Sequence, residues 1–185
     1  MSMYALQVMT GMEAEITQKL CGKGVDARCP QERRMIRRGG KWQEQLYTLF
    51  PSYIFVSTPD VYRVYYAVRC EDGVLHWLGA TKGTPEALSA REEANILWLA
   101  GDGPLPPSEA EVHADGTLDF TSGPLAHLRD LLEKVNRHDR RATVRVPVGG
   151  EDKTITLSYR LNGRQETVSN AAAGTPRSVN AADIF

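Results

Sequence analysis

Leu46-Tyr47-Thr48-Leu49-Phe50-Pro51-Ser52-Tyr53-Ile54-Phe55-Val56 is the most apolar and aromatic run in this sequence. Ile54, Phe55 and Val56 are β-branched or aromatic and read as a buried strand. Pro51 has no N–H to give to a ladder, so it belongs at the strand's entrance or at an edge. Phe50 and Tyr53 flank that proline. Composition leaves two readings of them open: ordinary core aromatics, or rings held outward beside a rigid backbone break as an apolar docking surface.

Upstream of this run, Met3 to Thr10 reads as a short strand broken by Gly11. Met12 to Lys23 reads as a helix, with Met12, Ile16 and Leu20 on one face and Glu13 and Glu15 in the first turn, where the helix dipole favours acids. A second strand is expected from Val25 through Ile36. Arg33, Arg34, Arg37, Arg38 and Lys41 form a basic run without an acid between residues 33 and 41, around the Gly39-Gly40 pair expected to turn a hairpin. Such a run is either a solvated hairpin tip or a phosphate-contacting one, since arginine pairs with phosphate bidentately.

Downstream, Pro59 to Val68 reads as a helix capped by Thr58, Val74 to Leu78 as a buried strand, and Ser89 to Ala100 as a helix with a Ser89/Glu92 capping box. The order β-α-β-β-α-β-α over residues 1–100 implies an α+β domain, an antiparallel sheet flanked by helices. Residues 101–116 carry three prolines and several acids but no Lys or Arg, and read as a linker. Within 117–161, the alternating runs Thr143 to Val148 and Lys153 to Tyr159 predict a small all-β barrel. Residues 162–185 are rich in Asn, Ala, Ser, Thr and Gly, and are expected to be poorly ordered.

Across its 185 residues the chain has a net charge of −1, so any nucleic-acid contact must come from a local patch. Cys21, Cys29 and Cys70 are odd in number and lack CxxC spacing, which argues against a disulfide framework or zinc site and fits a reducing cytoplasm. No leader-like start and no apolar run of the ~18 residues a membrane span needs is present, so no membrane partner is expected. His76, His113, His127 and His138 share no metal-ligand spacing. Gly79 to Thr84 lacks the GxxxxGK[ST] spacing of a phosphate loop. No nucleophile-base pair is evident. The expectation is a non-enzymatic protein without a cofactor.

In order and spacing, the two modules resemble the NusG transcription elongation factors, an N-terminal NusG domain followed by a KOW domain. The resemblance covers roughly residues 3 to 161. It rests on Tyr4-Ala5-Leu6-Gln7-Val8, on Phe50 to Val56, on Gly73-Val74-Leu75-His76-Trp77-Leu78-Gly79, on Ser122-Gly123-Pro124-Leu125, and on Lys134 to His138 followed by Arg140-Arg141-Ala142. The wording is closer to specialised LoaP-like antiterminators than to the housekeeping factor. The resemblance implies that Tyr4, Phe50, Pro51 and Tyr53 form an aromatic surface for the clamp helices of the largest RNA polymerase subunit. It tips the reading of Phe50 and Tyr53 toward the outward-facing one. It further implies that Arg33, Arg34, Arg37, Arg38 and Lys41 lie near DNA or RNA of the transcription complex. Arg137, His138, Arg140 and Arg141 would then serve a KOW partner such as Rho or a ribosomal protein, and the chain would act as a monomer.

The chain also departs from the KOW pattern. Asp130 stands where the motif's first turn has a glycine, and His127 replaces another frequent glycine. Leu125, Leu128, Leu132 and Val135 follow helical spacing, and the resemblance extends to family members whose KOW domain refolds as a helical hairpin over the polymerase site, which makes such refolding a further expectation that the resemblance implies. The competing reading is an RNA-binding or ribosome-associated protein that uses the barrel and the basic hairpin without polymerase. A polymerase factor needs Phe50 and Tyr53 exposed, whereas an RNA-only protein would bury them or surround them with cations.

Overall fold

The computed structural model describes residues 1–79 and 84–162. The expected tail therefore falls, but for Asn162, outside the described residues, as does most of the loop after Gly79.

The N-terminal module is built on a four-stranded antiparallel sheet in the order β2-β5-β1-β6, made of β1 (Ser2–Val8), β2 (Asp26–Arg28), β5 (Tyr53–Thr58) and β6 (Val74–Trp77). Alternation along β1 and β5 sends side chains to opposite faces. Leu6, Val8, Ile54 and Val56 meet Ile16 and Leu20 of α1 (Glu13–Gly22) and Val64 and Val68 of α2 (Val61–Val68). Met3, Ala5 and Phe55 lie on the other face, in a core shared with Ile96 and Leu99 of α3 (Ala90–Ala100). The capping box of α3 is present as expected. At α2 the cap is Asp60, whose carboxylate accepts the Arg63 N–H, and not Thr58.

The sequence suggested one long strand from Val25 through Ile36 before the Gly-Gly turn, and it is broken. Pro30 ends β2 before β3 (Gln31–Arg38), and the turn at Leu49 to Ser52 separates β4 (Lys41–Thr48) from β5. The result is a separate two-stranded hairpin, β3-β4. Gly39 and Gly40 both have positive φ, which is the geometry that lets a two-residue turn match the strand twist.

The C-terminal module is a five-stranded sheet in the order β8-β7-β11-β10-β9, formed by β7 (Ser108–Val112), β8 (Leu118–Ser122), β9 (Leu132–Asn136), β10 (Arg141–Val148) and β11 (Glu151–Leu161). One expectation is corrected here. Part of the supposed linker is a barrel strand, since β7 pairs antiparallel with β8 and parallel with β11. The helical spacing from Leu125 onward yields only α4 (Pro124–His127) and a 3-10 turn at Arg129–Leu131, because Leu132–Asn136 is claimed by the ladder with β10. Asp130 sits in that turn without a positive φ, so the missing glycine leaves no left-handed position to fill.

The two modules share one apolar core. Met3, Ala5, Leu49, Phe50, Phe55, Leu78, Leu88, Ile96 and Leu99 are connected with barrel residues including Val144, Val146, Val148, Ile155 and Leu157. The sheet thus has α1 and α2 on one face, while its other face belongs to the core it shares with the barrel.

Candidate functional site

The turn that presents the aromatic run is held from below. Ser52 adopts a φ of 69°. Its N–H donates to Glu13 Oε1 at 2.7 Å, and Glu13 Oε2 accepts the Gly11 N–H at 2.9 Å. A buried carboxylate at the start of α1 thus pins the β4-β5 turn to the β1-α1 turn. The sharp bend splits the two rings beside Pro51. Phe50 turns inward, 2% exposed, edge-on to Phe55 at 5.2 Å. Tyr53 is half-buried at the start of β5, with the Lys153 ammonium 4.5 Å from its ring centroid and donating to its hydroxyl at 3.0 Å. Pro51 is exposed.

The four residues expected on one aromatic surface are therefore not together. Tyr4 alternates with Met3 and Ala5 along β1 and packs on the helix-covered face, edge-on to Trp77 at 6.0 Å. Phe50 does not face outward in this arrangement. Buried rings beneath a lysine are what an RNA-only protein was expected to show. Here, however, the lysine comes from the other module, so ring exposure does not separate the two readings.

The basic hairpin divides into two faces by register. Arg33 shares one face with Met35, Glu44 and Leu46, and Arg33 and Glu44 approach to 3.9 Å. Arg34, Arg38 and Lys41 share the opposite face with Glu32 and Tyr47. Arg33, Arg38 and Lys41 are exposed. Arg34 is not: it is 9% exposed, its guanidinium 4.4 Å over the Tyr47 ring, paired through Nε with Glu32 and through Nη2 with the Thr156 carbonyl of β11. Glu32 is fully buried, and its Oε1 accepts the Ser158 N–H at 2.7 Å and the Ser158 hydroxyl at 2.8 Å. A free phosphate-binding role for Arg34 is thus not available in this arrangement, because the side chain is buried and held through Nε by Glu32 and through Nη2 by the barrel.

Sequence reasoning missed the contact between the modules altogether. Besides Glu32, Arg34 and Lys153, it includes Glu92, whose Oε1 accepts the Gly150 N–H at 3.3 Å, and Trp98, which stacks on His127 at 3.9 Å between centroids. A Cβ on Gly149 would stand 2.7 Å from Leu78, so the β10-β11 turn sits directly on the N-terminal module. The connection from α3 into the barrel also braces the hairpin, with Arg33 N–H donating to the Leu105 carbonyl and Leu105 N–H to the Gln31 carbonyl, both at 2.8 Å. Glu32 carries a local signal of its own, as the acid that borders the basic run.

Arg137, His138, Arg140 and Arg141 cluster at the β9-β10 turn, the far end of β10 from Gly149. Arg137 donates to the Gly116 carbonyl at 2.8 Å, Arg140 has a φ of 50°, and Arg137, His138 and Arg141 are exposed. Among the described residues no group of three His, Cys, Asp or Glu side chains could hold a metal, and no helix is long and apolar enough to cross a membrane.

The family described as "NusG: Transcription termination factor nusG" matches residues 1–97. The protein "Transcription termination/antitermination protein NusG" of Buchnera aphidicola is 25% identical over 171 residues, covering 84% of this chain and 92% of that protein. Its namesake from Haemophilus influenzae is 24% identical over 166 residues, covering 84% and 90%. The solved structure described as "Domain interaction in Thermotoga maritima NusG" aligns with a TM-score of 0.47 at 20% identity, over 85% of this chain and 93% of that one.

Proposed function

The chain belongs to the NusG family of transcription termination/antitermination factors, and from that premise we propose that it binds the clamp helices of the largest RNA polymerase subunit in the cytoplasm and promotes processive elongation. The docking surface is the sheet face that carries Leu49, Phe50, Tyr53 and Phe55. One observation supports this above the others: this apolar face has no cover from α1 or α2, and the barrel lies against it beside α3 in the shared core. Aromatic anchors set in an apolar patch are the kind of feature that dominates a modest protein interface. For polymerase to occupy the face, the barrel must move off it. The exposed Arg33, Arg38 and Lys41, with Arg37, would then meet DNA or RNA of the transcription complex, and the Arg137, His138, Arg140 and Arg141 turn a separate partner such as Rho or a ribosomal protein.

Polymerase pull-down by the full chain tests this reading. Tyr53→Ala should abolish retention, while Tyr4→Ala, on the opposite face, should leave it intact. Equal behaviour of the two variants, or no retention by any form of the chain, would instead favour the RNA-only reading.

A further inference from the structure

We propose that Glu13 and Ser52 are positioning residues for the polymerase contact: the Glu13 carboxylate holds Ser52 in a left-handed conformation, and that conformation aims Tyr53. The inference rests on the functional reading above and deepens it by naming what shapes the docking surface.

Phe50 to Tyr53 close a turn in which the Tyr53 N–H donates to the Phe50 carbonyl at 3.0 Å. Proline at the second position fixes φ at about −65°, whereas Ser52 at the third has a φ of 69°. That change of sign is the pattern of a type II turn, whose third position suits glycine or asparagine. Serine carries a Cβ that disfavours left-handed backbone. Three contacts impose it nonetheless. The Ser52 N–H donates to Glu13 Oε1 at 2.7 Å, and the Ser52 carbonyl accepts the Val8 N–H at 2.9 Å. The hydroxyls of Ser52 and Thr10 lie 2.5 Å apart. All three partners belong to β1, to the start of α1 or to the turn between them.

Of these partners Glu13 is the one that is both charged and buried. A carboxylate accepting a backbone N–H makes the stronger kind of hydrogen bond, so it contributes most to holding the turn. What depends on the turn is the direction in which the chain enters β5. Phe50 goes into the core against Phe55, and Tyr53 emerges with the Lys153 ammonium 4.5 Å from its ring centroid. A glycine at position 52 would meet the same turn without a brace. Serine there makes the placement of the docking tyrosine conditional on an acid 39 residues away. Backbone in a sparsely populated region persists only where its surroundings over-determine it, and it concentrates at functional sites.

The test compares variants of the full chain by two readouts. One is retention of RNA polymerase in the pull-down. The other is the nuclear Overhauser contact between the Tyr53 ring and the Lys153 side chain, with the Tyr4–Trp77 contact on the opposite face as the check of folding. Glu13→Ala should lower retention about tenfold, the size of the preference that Ser52 then follows out of the left-handed region, and should remove the Tyr53–Lys153 contact. Glu13→Ala/Ser52→Gly should recover both. Its urea midpoint should stay below that of the wild type, because the N–H groups of residues 11 and 52 still lack their acceptor. A Glu13 that only stabilises the fold would leave retention and ring contact as low as the midpoint. Ser52→Val keeps Glu13 but places a β-branched residue at positive φ, so it should also lose the ring contact, and it carries the test if Glu13→Ala does not fold. The proposal is overturned if folded Glu13→Ala or Ser52→Val keeps the Tyr53–Lys153 contact, or if Ser52→Gly fails to restore it. The ring contact is read without polymerase. A chain whose Tyr53 follows Glu13 and Ser52, but which polymerase does not retain in any form, loses the polymerase reading and keeps the positioning of Tyr53.

Discussion

Glu13 does the work of a backbone in the β4-β5 turn. Its two carboxylate oxygens accept the N–H groups of Gly11 and Ser52, and the site is buried. Glu13→Ala would leave both donors without their acceptor, at a cost of about 2–3 kcal/mol, read as a lower urea midpoint at unchanged slope. Cys29 is the converse case, a group whose ionisation the fold suppresses. Burial pushes its thiol up to about 11, against a small opposing pull from the Thr48 hydroxyl, whereas Cys21 and Cys70 are exposed. The thiolate is the reactive form, and a thiol held that high carries about a hundredfold less of it at pH 8 than an ordinary one. A disulfide reagent at pH 8 should therefore label two of the three cysteines quickly and Cys29 far more slowly. Some residue-scale detail was not legible. Phe50 and Tyr53 look equivalent beside Pro51, and the positive φ of Ser52 that sends them different ways is set by Glu13, 39 residues away. Phe50→Ala should accordingly cost about 3–5 kcal/mol in chemical denaturation, as other large core truncations do, which makes Tyr53 the better probe of docking.

At the scale of elements, legibility followed the range of the interaction that decides each one. The capping box of α3 and the Gly39-Gly40 turn are local chemistry and were read correctly. β7 was not, because Ser-Glu-Ala-Glu-Val after three prolines carries no strand signal of its own. It is a strand because β8 and a parallel β11 lie on either side of it. The helical spacing of Leu125 to Val135 lost to β10 for the same reason. α3 joins both regimes through Glu92. Burial disfavours its carboxylate, but the Ser89 hydroxyl and N–H and the N–H groups of Gly149 and Gly150 outweigh this and hold it below the ordinary value of 4.5. Because the folded-state value is the lower one, the stabilisation is complete above the ordinary value and disappears as pH falls through the folded one. Glu92→Gln should thus melt below the wild type at neutral pH by about 1 kcal/mol, the size of a lost cap. The two melting curves should converge as the pH is taken well below 4.5.

At the scale of the whole molecule, the decisive feature is that the core is not divided where the sequence divides. Composition shifts sharply at Gly101, and that shift supports a reading of two modules on a linker. The helix-covered face of the sheet fits that reading, since Leu6, Ile16, Ile54 and Val64 bury one another within residues 1–97. The other face does not, because Met3, Phe50 and Phe55 join Val146 and Leu157 in a single cluster. Burial shared between modules couples their unfolding, because neither can open without exposing the apolar surface of the other. Full-length protein should therefore melt in calorimetry as one transition, with van't Hoff and calorimetric enthalpies in agreement. Arg34→Met, which leaves Glu32 without its cation in the interface, should split that transition into two, the N-terminal module melting first because it gives up the barrel's share of the core on that face of its sheet. Two resolved transitions in the wild type would mean that the shared core contributes little, and that the barrel is merely tethered to the face it covers.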